Sequence, residues 1–261
     1  MSESNNTSDS VTGGGIGLER GPASPNPLFA FIVISATCGI AATWVPDAML
    51  WFSFALKAFA KAGEAPSLEL SRHLEVLVRY QEYGNAMLVG ASLAALLHIA
   101  AMALRRFTHP SSSLSLIREA LACCGTVVGG AMLATIACFV FRCQSVGSQN
   151  LVLAAGVHSG LWGGLGAMQA FEDWFRVRTT IPIVIAVGML WGLLFIFAAV
   201  IINPSAHIER LFFTDTKLVS YWAGGGCACV LCSSVFLNRH TRTSVKPTVT
   251  IGINERFEAK G

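Results

Sequence analysis

His98 and His158 are the two histidines that fall inside long apolar stretches of this chain. A pair of such imidazoles can act as axial ligands to a haem iron, so they are the first chemistry to weigh. With the span limits given below, His98 lies about six residues from one membrane face and His158 about seven from the other. At about 1.5 Å per residue the offset is roughly 14 Å, too far for one iron. The expected roles are hydrogen bonding within a bundle or a place on a polar path. Cys227, Cys229 and Cys232 form C-x-C-x-x-C, and soft thiolates suit Cu(I) or zinc. On one helix, however, Cys227 and Cys229 point about 200° apart. Unless Gly224, Gly225 and Gly226 unwind the backbone, the three are small packing residues and no metal site is assigned.

Ser159-Gly160 followed by Gly164-Leu165 resembles the nucleophile helix of rhomboid intramembrane proteases, over fewer than ten residues. Val157 stands where that motif has glycine, and the last apolar segment has no histidine to act as base. The resemblance is rejected and no catalytic residue is assigned. Phosphate-binding loops, dinucleotide fingerprints and metalloprotease motifs are absent, and no cofactor is expected.

These residues must be positioned by membrane-spanning helices. Of 261 residues, 53% are hydrophobic and 13% charged, about half the charged share of a soluble domain. Segments 28–44, 83–104, 120–141, 151–170, 181–202 and 218–237 contain no Asp, Glu, Lys or Arg. They do not alternate as barrel strands would, so backbone satisfaction in hydrocarbon demands helices. The expected architecture is all-α: a polytopic transmembrane bundle of six spans over 28–237. Residues 1–27 and 238–261 read as polar tails, the first too rich in Ser, Asn, Gly and Pro to order itself. Pro46 and Asp47 interrupt the first apolar run, and the following stretch to Gly63 reads as an interfacial segment. After Pro66 and Ser67, an amphipathic helix with Glu75 and Arg79 paired on one face leads into span two.

Gly156, Gly160 and Gly164 recur four apart, and Gly163 shares their stripe, while His158 lies on the opposite side. Small residues at this spacing let backbones approach, so these glycines, with Gly125 and Gly129 of span three, are expected to pack span four against span three. On that reading a bulky residue at Gly160 costs more than one at Ala154. The eight cysteines lie in or at the edge of apolar segments and are expected to be reduced and buried.

The net charge of +3 is small and its basic residues scattered, which argues against nucleic acid as a partner. Eleven Lys and Arg fall on the side of the two tails against seven on the other, so the positive-inside rule places both termini in the cytosol. No carboxylate, lysine or arginine lies inside a span, which disfavours ion-coupled pumping. Two functions remain. One is a passive channel or facilitator with a path along Asn85, Ser92, His98, His158 and Ser159. The other is a non-catalytic subunit or homo-oligomer that packs in the lipid bilayer through its glycine faces.

Overall fold

The computed structural model describes residues 26–51, 67–108, 116–144, 151–172, 181–202 and 215–244, together with Ala58 and Lys61. Among the described residues the elements are six α-helices: α1 (Pro27–Trp51), α2 (Leu68–Thr108), α3 (Leu116–Gln144), α4 (Leu151–Glu172), α5 (Ile181–Ile202) and α6 (Thr216–Ser244). All six are long and apolar enough to cross a membrane, and the chain is an integral membrane protein of multi-pass type. Residues 1–25, most of the interfacial segment after Trp51 and the tail beyond Ser244 lie outside the described residues.

Local chemistry sets several helix starts. Asn26 Oδ1 accepts from the Leu28 N–H at 3.0 Å, with Pro27 in the first helical position. Ser67 Oγ accepts from Leu70 N–H at 3.3 Å, and Asp215 Oδ1 from Lys217 N–H at 2.8 Å. Two helix ends lie seven residues beyond the sequence expectation. Helix α1 runs through Pro46 to Trp51, because Val45 and Ala48, both fully buried, clamp the turn that the missing N–H weakens. Helix α6 runs past residue 237 to Ser244.

The amphipathic segment and span two are one 41-residue helix, about 61 Å long and roughly twice the thickness of a hydrocarbon core. Its first turns carry the Arg79–Glu75 pair at 2.5 Å, as the spacing predicted. Two further ion pairs tie α2 to α3: Arg142 with Glu82 at one end and Arg106 with Glu119 at the other. Between them α2 rises about 36 Å and α3 about 35 Å. The charges thus mark the two faces of an apolar slab of membrane thickness.

Each helix packs against its neighbours in the chain, and α6 closes on α1, so the six form a ring. Inside the ring α2, α4 and α6 also touch one another and are about half buried, whereas α1, α3 and α5 are buried over 22–28% of their apolar windows. Consecutive helices run antiparallel, so the three inner helices run in the same direction. The core is built by Leu93, Leu97, Leu161, Leu165, Trp162, Trp222 and Leu231, all at most 2% exposed.

Candidate functional site

The interior is unusual in holding polar side chains. Asn85 and His98 on α2 and His158 and Gln169 on α4 are all buried, and Thr37 on α1 is the remaining buried polar residue among those described. Four of these five therefore sit on the three inner helices. The pairing of Gly90 with Gly130, and of Gly164 with Leu133, fixes the register across α2, α3 and α4. It sets His98 and His158 toward opposite ends of the slab, roughly 20 Å apart along the axis.

His158 belongs to an aromatic cluster. Its ring meets Trp222 edge-on at 5.7 Å and 83°, and Trp162 meets the same indole at 5.2 Å and 64°. All three are at most 1% exposed. The glycine triplet of α6 makes room for this cluster and its surroundings. A Cβ on Gly226 would strike the Trp162 ring, one on Gly225 the Trp191 ring, and one on Gly224 would sit 3.2 Å from the Cys38 carbonyl of α1. Trp191 Nε1 in turn donates to the Trp222 carbonyl at 3.2 Å. The triplet does not unwind the helix; three consecutive missing side chains admit α5, α4 and α1.

Hydroxyl groups elsewhere in the spans show what their oxygens bond to. Ser92 Oγ donates to the Leu88 carbonyl at 2.7 Å and accepts from Trp44 Nε1 at 3.0 Å, which joins span one to span two. Ser159 is half-buried. The hydroxyls of Thr126 and Thr135 turn back onto carbonyls of their own helix at 2.8–3.0 Å.

The glycines divide differently from the expectation. Gly164 and Gly129 do meet the facing helix, at Leu133 (2.5 Å to an added Cβ) and Met168 (3.0 Å). Gly163 instead meets Met189 of α5, at 2.5 Å. Around Gly125, Gly156 and Gly160 an added Cβ would find nothing within 4 Å, so they do not hold α4 against α3. Helix α4 also packs backbone to backbone on α5, where Gly192 abuts the His158 carbonyl, Gly188 the Trp162 carbonyl, and Gly166 the Val184 carbonyl at 3.0 Å. The expectation went wrong because a short connection implies adjacency but not the depth of contact. Gly188 and Gly192, four apart, carried the same small-residue signal.

All eight cysteines are free. Cys124, Cys143 and Cys232 are exposed, which corrects the expectation that all are buried: these thiols lie on outward faces of the bundle. Cys38 sits at the α1–α6 contact, where its carbonyl lies against Gly224. Among the described residues no three His, Cys, Asp or Glu side chains are grouped as metal ligands.

No protein-family model, curated protein or solved structure matches this chain, so its reading rests on the geometry above.

Proposed function

We propose that this protein is a non-catalytic membrane subunit that packs through the outer edge of α4 against a transmembrane helix of a second copy or of another subunit. The observation that supports it is the pair Gly156 and Gly160. Ten other glycines in the spans, Gly90, Gly129, Gly130, Gly163, Gly164, Gly166, Gly188, Gly192, Gly225 and Gly226, each fit a neighbouring helix so tightly that a Cβ would come within about 3 Å of another atom. Gly156 and Gly160 have open space, and Val152, one turn before them, is 76% exposed. Glycine inside a helix costs about 1 kcal/mol relative to alanine. Contacts within one chain give these two no reason to be glycine; close approach by another backbone does. Gly39 on α1 and Gly125 on α3 are equally open.

The test is Gly160→Leu in the full chain. The reading expects the assembled species to fall to lower mass in mild detergent, with no loss in thermal stability of the single chain. Unchanged assembly argues against it. Both termini are placed in the cytosol in this proposal, on the basic-residue count, and tags at both ends should be inaccessible in sealed cells.

A passive facilitator is the second reading, favoured by the buried Asn85, His98, His158 and Gln169 on the inner helices. Trp162 and Trp222 fill the centre between α4 and α6, so solute flux would require them to move. Liposomes carrying Trp162→Ala should then leak solute that the parent protein retains.

A further inference from the structure

We infer that the His158–Trp162–Trp222 cluster is a buried hydrogen-bond site that holds a small acceptor, water or a halide ion, between α4 and α6. Trp162 is 0% exposed, and its Nε1–H has no hydrogen-bond partner within the protein. Gln169 Nε2, seven residues on and within about 20° of the same face of α4, is a second buried donor without one. In the interior of a membrane protein no bulk water rescues such groups, so an indole N–H is costly where a phenyl ring would not be.

The surroundings favour a donor at this place. The glycine at position 226 leaves room for Cε2, Cζ2 and Cη2 of Trp162, the edge of the indole to which Nε1 is attached. The carbonyl of Trp222, the residue whose ring meets Trp162, already accepts from Trp191 Nε1 as well as from its own helix. Trp222 presents its indole to the rings of both His158 and Trp162. A buried indole N–H beside a carbonyl that is already taken calls for a compact acceptor. This inference does not depend on the subunit reading.

The experiment uses the full chain in detergent and ultraviolet resonance Raman spectroscopy of the indole N–H-sensitive band. The difference between the parent protein and Trp162→Phe isolates Trp162. The inference expects that difference at the position of a hydrogen-bonded indole. Exchange of chloride for gluconate shifts it if the acceptor is a halide and leaves it unmoved if the acceptor is water. A difference at the position of a free indole overturns the inference. If Trp162→Phe does not fold, benzothienylalanine at position 162 keeps the shape and removes only the N–H. It should then lower the melting temperature by about 2–4 °C, whereas an unfilled N–H predicts an equal or higher value.

Discussion

Arg142 at the end of α3 forms an ion pair with Glu82 near the middle of α2, one turn before the buried Asn85. With Arg106–Glu119 it sets the register of the α2–α3 hairpin and marks where the apolar slab begins. About a third of each side chain is exposed, so screening limits the pair to about 1 kcal/mol or less. A double-mutant cycle with Glu82→Gln and Arg142→Gln should show coupling of that size, falling with added salt. Zero coupling would mean the two charges contribute nothing to the register.

Gly192→Ala should be the most damaging of the conservative glycine changes, because the new methyl meets the His158 backbone, which cannot turn aside. Overpacking of this type costs about 1–3 kcal/mol. Gly160→Ala meets nothing and should hold or raise single-chain stability by up to about 1 kcal/mol. Thermal unfolding of both in one detergent checks the contrast. For the same reason a bulky residue at Ala154, 2% exposed, should cost more than at Gly160, the reverse of the sequence expectation.

The glycine triplet gives a prediction of compensation. Gly226→Ala presses on the Trp162 ring, and Trp162→Leu alone leaves a cavity. The double variant should lose less than the sum of the two singles, by about 0.5 kcal/mol or more. Strict additivity in chemical or thermal unfolding would show that the ring does not rest on that glycine.

Trp44 and Ser92 offer a smaller test. Polar contacts between spans contribute about 0.6 kcal/mol on average. Trp44→Phe and Ser92→Ala should therefore couple by about that amount. A facilitator role for Ser92 would instead show as altered solute flux with unaltered stability.

Much of this fold was legible because its cause is local. Charge-free stretches of membrane length gave six helices, and Ser67 and the Glu75–Arg79 spacing marked the start and face of α2. The interior was less legible. His158 could be seen to face away from the glycine stripe, but the helices that meet it, α5 and α6, follow from the ring closure of α6 on α1, which no window of sequence contains. The same gap misassigned the glycines. A four-residue spacing says that a backbone can come close, but it does not say which, and Gly156 and Gly163 on one stripe meet open space and α5 respectively. Pro46 misled for a related reason: the packing of Val45 and Ala48 outweighs its local cost.

The central claim is that the Val152, Gly156 and Gly160 edge of α4 is covered by another helix. A photoreactive residue at Val152 in native membranes, with differently tagged copies co-expressed, tests it most directly; the same group at Tyr221, 67% exposed on α6, is the control. The account predicts one discrete protein adduct from position 152, reduced by Gly160→Leu, and none from 221. Adducts to lipid alone from position 152, or equal protein adducts from both positions, would contradict it.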